Sequence, residues 1–352
     1  MAIKEVIKRR PPRPKKIKVL FILKRHLYGP SFGLFNSCTF IAKALESKGI
    51  DAKVVEVRDN NQIDREVTRY KPTHVIIEAL WVVPEKFPVL IKLHPKVKWV
   101  VRIHSNAPFL SGEGMALEWI VQYRDLALKY DNKLFIACNN GRIQNEINGS
   151  LNARSVLLQN IYEPALDGKY EKPKPPFDFK QDCISVGCFG AIRPLKNQLE
   201  QALAAILFAN QHNKELTFHI NIGRVEQNSD PILRNLVALF DGTPHTLVQH
   251  GWVTHECFIR LIKNCDIGLQ ASFSETFNIV GADFIYHGVP LVGSSELEWL
   301  ATASKAESTV SADLVKKIES NLKHPSYVEA SQRNLRLHGT KSLSEWMAWL
   351  QG

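Results

Sequence analysis

A chain of 352 residues is long enough for two domains with separate cores, and 45% hydrophobic against 23% charged content is that of a soluble globular protein. No apolar run reaches the roughly 18 residues of a membrane helix, and no apolar segment follows the basic N-terminal residues as a signal peptide requires. The net charge of +10 is unevenly placed: residues 1–18 hold Lys4, Lys8, Arg9, Arg10, Arg13, Lys15, Lys16 and Lys18 against Glu5, which leaves only about +3 on the rest.

In chain order, residues 1–16 form a basic arm in which Pro11, Pro12 and Pro14 oppose a helix. Such an arm suits a contact with nucleic acid or an anionic membrane, and equally a solvated tail. Residues 17–23 are a β-rich apolar run, a buried strand. A loop over 25–34 carries Gly29, Pro30 and Gly33, and residues 36–47 have helical spacing ending at Gly49. Further strands are predicted at 52–57, 75–77, 99–103, 135–137 and 156–158, with helical patterns between most of them. Strand–helix alternation of this kind predicts a parallel sheet covered on both faces.

The rhythm breaks at 159–182, which carry Pro164, Pro173, Pro175 and Pro176 and many charges; 161–182 read as a linker. Alternation then resumes, with strands at 183–189, 216–222, 245–250, 266–270 and 289–292 and helices at 196–211, 230–240, 255–264, 278–287 and 311–323. A last helix is expected to open at Ser342-Leu-Ser-Glu345, a capping-box spacing, with Trp346, Trp349 and Leu350 on its apolar face. The division is therefore an arm (1–16), an N-terminal Rossmann-like domain (17–160), the linker (161–182), a C-terminal Rossmann-like domain (183–338) and a C-terminal helix (339–352) packing back toward the first domain. The fold class is α/β, two Rossmann-like domains facing across a cleft. Ligands of open α/β sheets bind outside the strand C-terminal ends, so the cleft is the expected site.

The residues able to carry chemistry fall at those ends. Glu275 and Asp283 lie eight positions apart, astride a strand-to-helix turn. Asp283 would sit roughly one and a half turns into the helix. The helix N-terminus near Phe277 and Asn278 has free amides and a positive dipole end, suited to a phosphate. One carboxylate before that end and one inside the helix can hold the hydroxyls on either side of a diphosphate, as a sugar nucleotide requires. Gly190-Ala-Ile-Arg193-Pro-Leu-Lys196 supplies a turn and two cations aimed at the same cleft; by itself it reads as readily as a surface turn with two solvated bases. Trp252, after Gly251, can lie against a nucleobase or pack in the core. His104 ends the strand Arg102-Ile-His104, where a histidine either serves structure or hydrogen-bonds a sugar. Gly29 and Gly33 can let the backbone approach the donor or acceptor. The six cysteines lack CxxC spacing and read as reduced thiols of a cytoplasmic protein. The phosphate-loop, HExxH, GxSxG, Asp-x-Asp and zinc spacings are all missing from the sequence.

Four segments taken together resemble the retaining glycosyltransferases of the GT-B fold, of the glycosyltransferase family 4 type. They are Gly190 to Lys196, Gly251-Trp252-Val253, Glu275-x7-Asp283 and Gly288-Val-Pro-Leu-Val292, in the family's order and spacing. The similarity covers about 183–300 well and is fainter through Phe135-Ile-Ala-Cys-Asn139 and Leu158-Gln-Asn160. It implies that Lys196 binds the donor diphosphate, Glu275 the donor sugar and Asp283 the ribose, with amides near Phe277 and Asn278 on a phosphate and His104 near the anomeric centre. Catalytic roles would fall to Glu275, His104 and Lys196, and donor binding would include Arg193 and Trp252. Two departures stand out: Ala191 occupies the usual arginine position, with Arg193 two residues on, and Asp283 replaces a glutamate. The implied reaction is metal-independent hexosyl or pentosyl transfer from a nucleotide-diphosphate sugar to a hydroxyl of a saccharide or lipid-linked saccharide, with retention and no further cofactor. Two alternatives are a phage-type DNA glycosyltransferase acting on a hydroxylated base, and a non-catalytic nucleotide or carbohydrate binder. The arm would serve either nucleic acid or a peripheral membrane contact.

Overall fold

The computed structural model describes residues 16–25, 32–226, 228–251 and 253–352. The basic arm, apart from Lys16, falls outside the described residues, as do Gly29 and Trp252.

The first half comprises β1 (Lys18–Lys24), α1 (Phe32–Glu46), β2 (Asp51–Val57), α2 (Gln62–Tyr70), β3 (His74–Glu78), α3 (Lys86–Leu93), β4 (Lys98–Ile103), α4 (Ala107–Leu110), α5 (Ala116–Lys129), β5 (Leu134–Cys138), α6 (Gly141–Leu151) and β6 (Val156–Leu157). Its six strands are ordered β2-β1-β3-β4-β5-β6, every pair parallel. Both faces are covered, and strand alternation sorts the side chains between two cores. Leu20, Ile22, Val75, Ile77, Trp99 and Val101 pack beneath α2, α3, α5 and α6. Val19, Phe21, Ile76 and Val100 face α1 on the other side. Two residues beyond Ile76 and Val100 on that second face stand Glu78 and Arg102, opposite each other in register.

The second half comprises β7 (Cys183–Gly187), α7 (Gln198–Gln211), β8 (Glu215–Asn221), α8 (Asp230–Asp241), β9 (Thr246–His250), α9 (His255–Asn264), β10 (Ile267–Gln270), α10 (Ile279–Tyr286), β11 (Leu291–Ser294), β12 (Lys305–Ala306), α11 (Ser311–Lys323) and α12 (Ser326–Gln351). Its sheet is ordered β12-β11-β10-β7-β8-β9, again parallel throughout. Among the described residues no helix is long and apolar enough to cross a membrane. Cys38, Cys138, Cys188 and Cys265 are buried thiols, whereas Cys183 is exposed and Cys257 partly so; all six are free.

Two expectations need correction. The C-terminal helix begins at Ser326, not at Ser342. Ser342 is fully buried in mid-helix and donates its hydroxyl to the His338 carbonyl at 2.8 Å. The capping spacing is overridden because apolar positions continue upstream: Val328 and Leu335 pack in the second half, Leu343, Trp346 and Leu350 in the first. Gly33 lies in the first turn of α1, not in a loop.

The proline-rich segment is laid down tightly between the halves. Tyr162 and Ala165 are buried beside Phe40, Phe284 and Leu335. Lys174 donates its amide to the Gly288 carbonyl at 2.8 Å and its ammonium to the Cys265 carbonyl at 2.7 Å. Gly288 has φ +72°, and a Cβ there would stand 2.1 Å from the Lys172 carbonyl oxygen, so only glycine fits.

Candidate active site

Residues 271–278, between β10 and α10, form the floor of the site. Asn278 takes a left-handed conformation, φ +66°, and caps α10 by accepting from the Gly281 amide at 2.7 Å. Its side-chain amide donates to Gln270 Oε1 at 2.9 Å and to Glu275 Oε1 at 3.1 Å. Gln270 in turn donates to the Phe189 carbonyl at 2.9 Å, which ties the loop to the end of β7. The amides of Ile279 and Val280, next in line at the helix end, have no acceptor among the described residues.

A second loop brings in the cation. Gly190 turns with φ +128°, a short 3-10 turn spans Pro194–Lys196, and Asn197 closes it with φ +57°. Asn197 donates to the Ala271 carbonyl at 3.1 Å, and the Phe273 amide to the Leu195 carbonyl at 2.9 Å. The two loops are thereby zipped together, and Lys196 Nζ lands directly on Glu275 Oε1. The same oxygen accepts from Ser272 Oγ at 2.9 Å. Glu275 and Lys196 keep only 8% and 14% of their side-chain surface exposed, so the pair is partly withdrawn from solvent.

The first half meets this floor from across the cleft. Asn106, following β4, donates to the Glu275 carbonyl at 2.8 Å. Asn139, at the end of β5, donates to Thr276 Oγ1 at 2.9 Å, and Asn140 donates to Asn106 Oδ1 at 2.9 Å. Arg142 Nη1 bridges both oxygens of Glu296 at 2.7 and 2.8 Å, and Glu296 accepts from the Glu275 amide at 3.2 Å. The Arg193 guanidinium lies 5.1 Å from the Phe109 ring and 3.4 Å from an oxygen of Glu226, a carboxylate it shares with Arg224.

His104 stands one residue past β4 and is 13% exposed. Its Nε2 meets Glu78 Oε2, and its Nδ1 is 3.4 Å from the Asn139 amide nitrogen that also reaches Thr276. His104 is therefore linked through Asn139 to Thr276, the chain neighbour of Glu275. Burial pulls the His104 pKa down; Glu78 raises it and Arg102 lowers it, leaving it below the ordinary imidazole value. Burial opposes charge on Glu78, but Arg102 and His104 outweigh it and hold that carboxyl below its usual range.

Asp283 is placed differently from Glu275. It is 2% exposed, and its Oδ1 accepts from the Tyr162 hydroxyl at 2.6 Å, with His255 Nε2 at 3.5 Å. The bond to Asp283 raises the His255 pKa, against burial. Phe277 contributes backbone only: its ring is buried against Trp299 and His338, and its carbonyl accepts from Trp299 Nε1 at 2.7 Å.

The structure thus gathers Lys196, Glu275, Asn278, Arg193 and His104 around one cleft and holds Asp283 beneath Tyr162. Sequence reading missed the roles of Glu78, Arg102, Asn106, Asn139, Tyr162 and Glu296. A signal existed for two of them: Arg102 interrupts Trp99-Val-Val-Arg-Ile103 and Glu78 ends Val75-Ile-Ile-Glu78, charges in fully buried apolar strands.

No protein-family model matches the chain, and no curated protein matches it in sequence. Solved structures match it along nearly its whole length. A glycosyltransferase from Rickettsia africae ESF-5 aligns with TM-score 0.66 at 12% identity, covering 96% of this chain and 98% of that one. An E. coli trehalose-6-phosphate structure bound with UDP-2-fluoro glucose gives 0.64 at 10% identity, covering 95% and 99%. A trehalose-6-phosphate synthase studied for glycosyl transfer with retention gives 0.65 at 10% identity, covering 94% and 98%. At such identities the likeness is one of architecture: the chain has the GT-B fold, two Rossmann-like domains.

Proposed function

We propose that this chain is a glycosyltransferase that moves a sugar from a nucleotide-diphosphate sugar to a hydroxyl of a saccharide acceptor, with retention and without a metal. One observation carries the reading. The Glu275 loop, which leads into the α10 N-terminus, is gripped by Lys196 from its own domain and by Asn106 and Asn139 from the other. A cation, a carboxylate, helix amides without an acceptor among the described residues and a histidine so converge where two sheets present their strand ends. The structural likeness to proteins that act on nucleotide sugars supports the same reading.

In this reading Lys196 and the Ile279 and Val280 amides take the charge that grows on the departing diphosphate, with Arg193 nearby. Electrostatic stabilisation of that leaving group is then the main catalytic contribution. Glu275 holds Lys196 in place and meets the donor sugar. His104 contacts the sugar from the opposite domain. Asp283 reaches the ribose once Tyr162 yields its bond. The leaving phosphate takes the acceptor proton, so no covalent nucleophile is needed. Closure of the cleft excludes water and limits donor hydrolysis. The names of the structural relatives favour a phosphorylated saccharide as acceptor. Buried free thiols suit a reducing compartment, and we assign the enzyme to the cytoplasm.

The test is nucleotide release from a panel of nucleotide sugars in chelator, with saccharides, phosphorylated saccharides and hydroxymethylated duplex DNA as separate acceptors. Release from one donor, stimulated by a saccharide, is expected. Stimulation by DNA alone would move the acceptor to nucleic acid. Neither release nor nucleotide binding across the panel would overturn the reading.

A further inference from the structure

Beneath His104 lies a polar cluster that the proposed reaction does not use. Arg102 and Glu78 are both fully buried, and Arg102 Nη1 donates to Glu78 Oε2 at 3.0 Å. Arg102 Nη1 also lies 3.2 Å from His104 Nε2, and the other two nitrogens of Arg102 are anchored as well. Its Nε donates to the Leu158 carbonyl at 2.7 Å, its Nη2 to Asn160 Oδ1 at 2.5 Å, and its guanidinium lies 5.4 Å from the Trp346 ring. Asn160 is itself fixed by Ser37 Oγ at 2.9 Å. The guanidinium is therefore immobilised by residues just past β6, by α12 and, through Asn160, by α1, and Glu78 Oε2 is held between it and His104 Nε2.

Two groups face His104 Nε2: the Arg102 guanidinium, which can only donate, at 3.2 Å, and the Glu78 carboxylate, which can only accept, in the closer contact. The closer partner decides, so Nε2 carries the proton. That leaves Nδ1 of a neutral imidazole as an acceptor, turned toward Asn139 and the second domain. The oxygen of that same Asn139 amide is buried with no partner among the described residues. Nδ1 meets only the Asn139 amide nitrogen, at a long 3.4 Å, and Asn139 Oδ1 meets nothing among the described residues, so the ends of β4 and β5 have room for a donor from outside, and a sugar hydroxyl supplies one.

We propose that Glu78 and Arg102 are positioning residues that lock His104 as its Nε2–H tautomer, so that Nδ1 accepts a hydrogen bond from a hydroxyl of the bound sugar. The inference rests on the transferase reading for its ligand, but the tautomer lock stands on geometry alone. The charges that face His104 are Glu78 from β3 and Arg102 from β4, with the Cys38 thiol of α1 beside Glu78. Arg102 balances Glu78, so the carboxylate orients the ring without making it a strong base. This differs from a triad, where an unpaired carboxylate stabilises an imidazolium.

The experiment is nitrogen NMR of the ring-labelled wild-type protein, with the His104 signals assigned by subtraction in His104→Gln. A proton on Nε2, none on Nδ1 and a neutral ring at neutral pH are expected. An Nδ1–H tautomer, or a charged ring near neutral pH, overturns the inference whatever the protein's activity. In turnover, Glu78→Gln should lower kcat about 100-fold with little change in the donor KM, because a neutral amide can donate or accept and no longer fixes the ring. Adding Glu78→Gln to His104→Gln should cost nothing further, whereas a merely structural role predicts multiplying losses. Because Glu78→Gln leaves Arg102 unbalanced in the core, Glu78→Gln combined with Arg102→Gln is made alongside it. A folded variant of either kind with wild-type turnover overturns the inference. Failure of the wild-type protein to release nucleotide from any donor would instead remove the transferase reading and leave the tautomer to be decided by NMR.

Discussion

Replacing Glu275 by Gln tests the centre of the site, because it removes one charge and almost no volume. In the native protein Glu275 Oε1 sits against Lys196 Nζ and also accepts from Ser272 at 2.9 Å and Asn278 at 3.1 Å. Glutamine keeps an oxygen for the two neutral donors, so the loop retains its shape. Lys196 loses its counter-charge while remaining mostly covered, at 14% exposure. Two unit charges about 4 Å apart interact by about 4 kcal/mol at an effective dielectric of about 20, and solvent at the cleft screens most of that. A net gain of about 1 kcal/mol in Lys196's attraction for an anion is a reasonable remainder, equivalent to about a fivefold tighter nucleoside diphosphate. Turnover should move the other way, falling about 100-fold or more as the donor sugar loses its carboxylate and Lys196 its orientation. Calorimetric titration with nucleoside diphosphates and measured nucleotide release check the two directions, with a thermal melt to confirm folding. Full turnover would show that Glu275 does not act on the sugar. Diphosphate affinity lost in step with turnover would show that the carboxylate merely holds the loop.

Three further expectations follow from separate parts of the molecule. Tyr162→Phe strips Asp283 of its 2.6 Å bond in a site 2% exposed, which should lower stability by about 1–3 kcal/mol in urea unfolding; a change below about 0.5 kcal/mol would mean the bond contributes nothing. Gly288→Ala forces a Cβ to 2.1 Å from the Lys172 carbonyl at φ +72°, and should cost about 2 kcal/mol or more, so an unchanged midpoint would contradict the close approach. His74, His219 and His338 are each pushed down by burial from 6.5 to about 4, so the unfolded chain binds more protons than the native one between those values. Their contribution is fully present above about pH 6.5 and is lost as pH falls toward about 4. Unfolding midpoints at several pH values should show that decline, and His338→Asn should flatten it; a midpoint that rises on acidification would refute the assignment.

The fold was largely legible because parallel strands buried on both faces must be continuous apolar runs, and such runs survive in the sequence as written. The Glu275-to-Asp283 spacing and the two cations before α7 were legible for a similar reason: each lies within one strand–turn–helix unit, where local geometry sets position. What could not be read was the meeting of distant units. Asn139 finds Thr276 across 137 positions, and Tyr162 covers Asp283 across 121, both fixed by how one sheet sits against the other. The aspartate was visible as a shortened glutamate; that a linker tyrosine holds it was not. Ser342 misled for the opposite reason, since a local spacing suited to a cap was overruled by Leu335 and Val328, which find their partners only in the folded second half.

The chain passes between the halves twice, once as the proline-rich segment and once inside α12. The two crossings touch where Leu166 fills the space left by Gly339, whose absent Cβ would stand 3.0 Å from Leu166 Cδ2. One tether would leave two rigid bodies free to twist, slide and tilt. Two tethers in contact oppose those motions more than one does, and a rotation about their contact strains them least. Such a rotation would move the edge where Asn106 meets the Glu275 carbonyl. A glycine and a leucine remote from that edge thus sit where the two halves are joined.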